Sequence, residues 1–126
     1  MIFGIILTFL NAFLPALMLI FGMVFARYPG TMNYVYGYRT RRSMLNQDTW
    51  EFAQTYFGRL WIRVGAILLP LSILFSLPMF WMKDDDKQGI LTVILESVQL
   101  VVLIASIFPV EQALKREFDD QGNRRE

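Results

Sequence analysis

The chain has 126 residues, 55% of them hydrophobic, a mean hydropathy of +0.40 and a formal net charge of +1. This leaves room for one domain, and the apolar share exceeds the ~45–50% usual in soluble domains, which points to lipid as the solvent. Neither cysteine nor histidine occurs. Disulfides, Cys/His zinc sites, Ser–His or Cys–His nucleophile pairs and a histidine pH switch are excluded, and the near-neutral charge argues against nucleic acid as a partner. No metal or cofactor is expected.

The first element, residues 1–26, contains no charged side chain. A helix needs roughly 20 apolar residues to cross a ~30 Å hydrocarbon core, so this run is long enough to span with some tilt. A cleaved signal peptide is disfavoured: the run lacks a basic start, is too long, and has no small-x-small site before Arg27. Residues 64–82 form a second uncharged run containing Pro70 and Pro78, both tolerable in a bundle where neighbours re-satisfy freed carbonyls. The third run, 89–110, is interrupted only by Glu96 and Gln99 among its strongly polar side chains, and a short turn, Lys83 to Gln88, makes spans two and three an antiparallel hairpin. The expected fold is therefore an all-α membrane protein of three transmembrane helices.

Orientation follows from basic residues on each side. Loop one, 27–63, and the tail, 111–126, lie on the same side and hold ten Lys and Arg, against Lys83 and Lys87 opposite. Loop and tail are thus expected in the cytoplasm, with the amino terminus and the Asp84–Asp86 turn outside.

Loop one is too long for a plain link. Asp48 with Glu51 three residues on reads as a capping box, and Trp50, Ala53, Phe57, Leu60, Trp61 and Val64 recur at helical steps. The expectation is an amphipathic interfacial helix from about Asp48 that bends or runs directly into span two, with Trp50, Tyr56 and Trp61 at headgroup depth. A long second helix protruding from the bilayer produces the same apolar face. Upstream lie Pro29-Gly30, a turn signal, then Asn33 and Tyr36-Gly37-Tyr38-Arg39-Thr40. Arg41 and Arg42 read as topology anchors against anionic headgroups, whereas Arg39 is equally an anchor or a bidentate partner for a carboxylate or lipid phosphate. An Arg39–Glu111 ion pair tying loop one to span three is expected. In the tail, Leu114 and Phe118 are expected to form a one-turn interfacial continuation, with fraying from Asn123.

Glu96 is the outstanding polar residue, since an ionisable group within a span costs at least about 2.5 kcal/mol unless paired, protonated or hydrated. At ~1.5 Å per residue, Glu96 and Gln99 lie roughly 10 and 15 Å below Gly89. Thr8 and Asn11 of span one, and Ser76 and Ser72 of span two, fall at about the same depth when counted from their own ends. The six are expected to meet in one outward-leaning polar cluster, either inter-helix glue or a ligand or ion pocket.

Asn33, Tyr36-Gly37-Tyr38-Arg39-Thr40, Ser43-Met44, Asn46, Trp50, Ala53 and Gly58 resemble the signature of the SdpI family of bacterial membrane proteins. Glu96, Gln99, Pro109-Val110-Glu111, Leu114, Phe118 and Gly122-Asn123 resemble the end of the same domain. The resemblance runs from about residue 29 to 123. It implies a three-helix membrane domain whose polar framework includes Arg39, Trp50, Glu96, Gln99 and Glu111, with no catalytic residues. The family's named member is an immunity protein that guards its producer against a membrane-attacking peptide and holds a repressor at the membrane. It has extra spans ahead of the shared domain. The resemblance therefore implies a non-enzymatic immunity protein of the bacterial cytoplasmic membrane. A small transport or lipid-handling protein, and an accessory subunit of a larger membrane complex, are the alternatives. Candidate partners are the bilayer, a toxin peptide or lipid, and a second copy of the chain.

Overall fold

A computed structural model describes residues 2–125. Four α-helices follow in chain order: α1 Ile2–Arg27, α2 Gln47–Ser76, α3 Asp85–Ala105 and α4 Ile107–Glu117, with a 3₁₀ turn at Leu77–Phe80 closing α2. Three helical stretches, Ile2–Arg27, Gln47–Phe80 and Asp85–Glu117, are long and apolar enough to cross a membrane. Long exposed rows of Ile, Phe, Leu and Val along all three are what a lipid-facing surface requires. The bundle has two chemically distinct ends: a loop end, carrying residues 28–46 and the C-terminal segment, and a turn end, carrying Lys83–Lys87.

Antiparallel α1 and α2 form the tightest pair, and small residues are the cause. A Cβ on Gly58 would lie 2.6 Å from the Gly22 carbonyl oxygen, one on Gly65 would lie 3.0 Å from the Pro15 oxygen, and one on Gly4 would lie 2.8 Å from the Met79 oxygen. In lipid there is no hydrophobic drive between helices, so close backbone approach and dispersion supply the association. The crossing at Gly22 and Ala26 is a small-xxx-small step that places α1 directly on Gly58.

α2 is one continuous helix of 30 residues. Residues 48–63 are its first turns and not a separate interfacial helix, because nothing between Asp48 and Val64 breaks the backbone ladder. Its start also differs from expectation. Asn46 is the N-cap, accepting from the Thr49 amide at 2.8 Å while the Thr49 hydroxyl accepts from the Asn46 amide at 3.0 Å. Thr49 is fully buried, whereas Asp48 lies at the surface and pairs with Arg124 at 3.2 Å. The reciprocal bond belongs to the pair that the fold encloses.

The third stretch breaks after Ala105. Pro109 lacks the N–H that would bond the Ala105 carbonyl, and its ring crowds that carbonyl. Ser106 fills the break: its hydroxyl accepts from Trp61 Nε1 at 3.1 Å and donates to the Leu103 carbonyl. α4 then packs Val110, Leu114 and the following Phe118 against Tyr38, Ala53 and Phe57, forming the apolar core of the loop end.

The C-terminal segment does not fray at Asn123. Phe118 and Arg124 form an antiparallel bridge around a turn whose Gly122 has φ +87°. Asn46 Nδ2 donates to the Gly122 carbonyl at 2.8 Å, and Arg124 contacts both Asp48 oxygens at 3.2 Å with its guanidinium 4.8 Å from the Phe118 ring. Arg124 thus docks the segment to the start of α2.

Candidate functional site

Loop one is built by a single face of α2. Gln47, Trp50 and Gln54 follow at helical steps of three and four, and each reaches a backbone group of the loop. Gln47 donates to the Gly30 carbonyl at 2.8 Å and accepts from the Met32 amide at 2.9 Å. Trp50 Nε1 donates to the Pro29 carbonyl at 2.9 Å, and Gln54 holds both the Tyr38 amide, at 2.8 Å, and the Tyr38 carbonyl, at 2.6 Å. Trp50 and Gln54 are fully buried, so these bonds act where water does not compete. Gly37 is required between them: its φ is +95°, and a Cβ there would meet Gln54 Oε1 at 2.8 Å.

Asn33 shapes the preceding turn. Its Oδ1 accepts from the Val35 and Tyr36 amides at 2.9 and 3.0 Å, an Asx turn. That turn presents Tyr34, Val35 and Tyr36 to the surroundings, all more than half exposed. Arg39 Nη1 donates to the Tyr34 carbonyl, so the expected Arg39–Glu111 ion pair is absent. Glu111 Oε2 accepts instead from the Tyr38 hydroxyl at 2.8 Å and the Thr40 hydroxyl at 3.0 Å. The cause is packing: Tyr38 is buried in the loop-end core and carries Thr40 with it, while Arg39, between them, points to the exposed side. Arg42 pairs with Asp120 of the C-terminal segment at 3.2 Å, a further departure from the anchor reading. Arg41, Arg42, Leu45, Glu111 and Asp120 line a polar cleft of about 240 Å³.

Burial holds the proton on the Tyr38 hydroxyl well above the ordinary tyrosine range, and the hydrogen bond to Glu111 and its charge add to this, with a smaller opposing effect from Thr40. Because the folded-state value is raised, this group's stabilisation is whole below the unfolded value of about 10 and is lost as pH rises beyond it. An alkaline titration is therefore expected to loosen the loop end of the wild type above about pH 10. Tyr38→Phe should be weaker at neutral pH and lack this alkaline step, as read by near-ultraviolet circular dichroism. An alkaline step of equal size in Tyr38→Phe would refute the assignment.

The intramembrane group is smaller than the depth comparison implies. Asn11 Nδ2 donates to Ser76 Oγ at 2.8 Å, Ser76 Oγ to the Ser72 carbonyl at 2.8 Å, and Gln99 Nε2 to the Asn11 carbonyl at 2.8 Å and Ser72 Oγ at 2.9 Å. These four side chains are fully buried and tie α1, α2 and α3 together. Thr8 is not among them: its hydroxyl donates to the Gly4 carbonyl of its own helix at 2.8 Å. Glu96 is half-buried on the flank of α3, and its Oε1 is enclosed without a hydrogen-bond partner among the described residues, as are Asn11 Oδ1 and Gln99 Oε1. Helical rotation explains the split. Gln88, Thr92, Leu95 and Gln99 form the interior stripe of α3, and Glu96 lies about 60° off that line, three residues before Gln99.

The profile of the SdpI/YfhL protein family matches residues 31–110. The chain belongs to that family. The matched stretch contains Asn33, Gly37 to Thr40, Trp50, Gln54, Ser72, Ser76, Glu96 and Gln99; it ends one residue before Glu111 and leaves out α1. A Bacillus subtilis (strain 168) relative described as "Uncharacterized protein YfhL" is 38% identical over 65 residues. The alignment covers 51% of this chain and 59% of that SdpI/YfhL relative. No solved structure matches the chain.

Within the SdpI/YfhL domain, several residues that shape the site escaped sequence reasoning. Gln54 and Gln47 read as ordinary polar positions of an amphipathic helix. The available signal was their registry with Trp50, which puts two amides on the tryptophan's own face. Gln88, whose Nε2 bridges the Met79 and Met82 carbonyls at 2.6 and 3.0 Å, carried no comparable signal.

Proposed function

We propose that this membrane protein protects the bacterial cell that makes it from a membrane-active toxin peptide, by binding or occlusion and not by catalysis. Membership of the SdpI/YfhL family over 31–110 is the observation that carries this reading, together with the resemblance to the family's immunity protein. The polar groups support a scaffold role. Glu111 is engaged by Tyr38 and Thr40, Arg39 by a carbonyl, and Asn11, Ser72, Ser76 and Gln99 largely by one another. Among the described residues, no acid–base pair is left poised against a nucleophile.

The ten-to-two division of basic residues supports a location in the cytoplasmic membrane with the amino terminus outside and the loop end in the cytoplasm. Because the chain lacks cysteine, Asp85→Cys is expected to react with a membrane-impermeant maleimide in intact cells and Arg42→Cys only after permeabilisation; the reverse pattern would invert the topology. Protection is tested by expression in a host sensitive to the killing peptide, with Glu96→Gln and Arg39→Ala alongside. Survival no better than with empty vector would end the immunity reading. A second reading, small-ion or lipid handling, draws on the enclosed acceptor oxygens of Asn11, Gln99 and Glu96. It predicts pH-dependent ion movement in liposomes, which a purely protective protein would not produce.

A further inference from the structure

Gly89 stands apart from the other helical glycines. A Cβ on Gly4, Gly22, Gly58 or Gly65 would strike a neighbouring helix, whereas one on Gly89 would meet nothing within 4 Å. Glycine within a helix costs about 1 kcal/mol relative to alanine, and helix packing does not account for it here. Gly89 faces an open groove. A cleft of about 760 Å³ runs between Phe3 of α1 and the first turns of α3, lined there by Asp85, Asp86, Gly89, Ile90, Val93 and Ile94. These α3 positions follow steps of one and four and so share one face. Ile90, Val93 and Ile94 are 60%, 65% and 51% exposed. The groove is thus apolar along its length and ends at two carboxylates, while Lys83 and Lys87 are not in its lining.

We propose that this groove docks a cationic amphipathic helical peptide, its apolar stripe along Gly89, Ile90 and Val93 and a Lys or Arg against Asp85 and Asp86. From Asp85 to Ile94 the face runs about 13 Å at 1.5 Å per residue. That matches two to three turns of an amphipathic helix, the unit by which such helices are gripped in apolar grooves. Charge selects the occupant. A phospholipid whose chains filled the groove would bring its anionic phosphate, the group next to the glycerol, against the carboxylates. A peptide places its cation directly beside its apolar stripe. The proposal rests on the protective reading for its biological role and on the outward placement of the turn end, from which a secreted peptide arrives.

The test uses the full chain in phosphatidylcholine nanodiscs, labelled at Ser97→Cys one turn beyond the groove and titrated with a synthetic Leu/Lys amphipathic helix. Saturable binding is expected above that of empty nanodiscs, with none for the matching Leu/Glu helix. Asp85→Lys/Asp86→Lys is expected to weaken binding by about tenfold or more through like-charge contact. Gly89→Leu should do the same by filling the groove; retained helicity in this and the double variant verifies the fold. Titrations that superimpose for wild type, Gly89→Leu and the double variant overturn the proposal. So does a phospholipid retained by the wild type and lost from Gly89→Leu, seen by native mass spectrometry, with no saturable peptide binding. The protection assay separates the two readings: protection undiminished in Gly89→Leu removes the groove alone, whereas peptide binding without protection removes the immunity role alone.

Discussion

Gly58→Val is expected to disrupt the α1–α2 pair, while Gly89→Ala leaves the bundle intact or slightly more stable. At Gly58 a new Cβ would lie 2.5 Å from the Ala26 nitrogen and 2.6 Å from the Gly22 oxygen. Both are backbone atoms and cannot turn aside as the end of a side chain can. Overpacking costs typically about 1–3 kcal/mol, and a clash with two backbone atoms belongs at or above the top of that range. The damage would spread, because Gly22, facing Gly58, admits no Cβ either. Gly89→Ala, with open space around it, is expected to gain up to about 1 kcal/mol from helix propensity. Unfolding in a graded mixture of mild detergent and dodecyl sulfate, followed by circular dichroism, measures both. A Gly58→Val midpoint equal to wild type would show that the helices are not in this close contact.

Gln54→Ala is expected to destabilise the loop end by roughly 1–3 kcal/mol, since it leaves the buried Tyr38 amide without a partner and its carbonyl with only the Ser43 hydroxyl at 3.2 Å. The single side chain substitutes for the ladder a neighbouring strand would provide, at 2.8 and 2.6 Å. Gln54→Glu is expected to fail nearly as badly: it retains the acceptor for the Tyr38 amide but loses the donor to its carbonyl. Hydrogen exchange reads the effect locally. The Tyr38 amide should lose protection in both variants while amides near Asn11 and Gln99 keep theirs. Unchanged protection at Tyr38 would refute the clamp. Loss of protection everywhere would make Gln54 a residue of the global fold and not of the loop.

Much of the bundle was legible because its causes are local in the sequence. Residues 2–26 are helical since an uncharged apolar stretch in lipid has no other way to satisfy its backbone. Gly37 and Trp50 stood out by residue type. Depth counting brought Asn11, Ser72, Ser76 and Gln99 to one level, because rise per residue is a property of the helix itself. It erred on Thr8 and Glu96, since depth says nothing about rotation. Thr8 has the option of its own helix's carbonyl, and Glu96 is turned about 60° from the interior line by the position of Gln99.

What the amino-acid sequence by itself determined is the membrane solvent, the three apolar stretches, the two polar levels and the chemistry that absent cysteine and histidine forbid. These are sums over neighbouring residues. Only the tertiary structure decided who meets whom: Glu111 with Tyr38 and Thr40 instead of Arg39, Arg124 with Asp48, Asn46 with Gly122, Gly58 against Gly22. Partners such as these lie 36 to 76 residues apart, and which of several equally polar candidates is enclosed depends on helix rotation and close packing. It also decided that Gly89 faces open space where Gly4, Gly22, Gly58 and Gly65 close contacts, a difference that residue type alone does not carry.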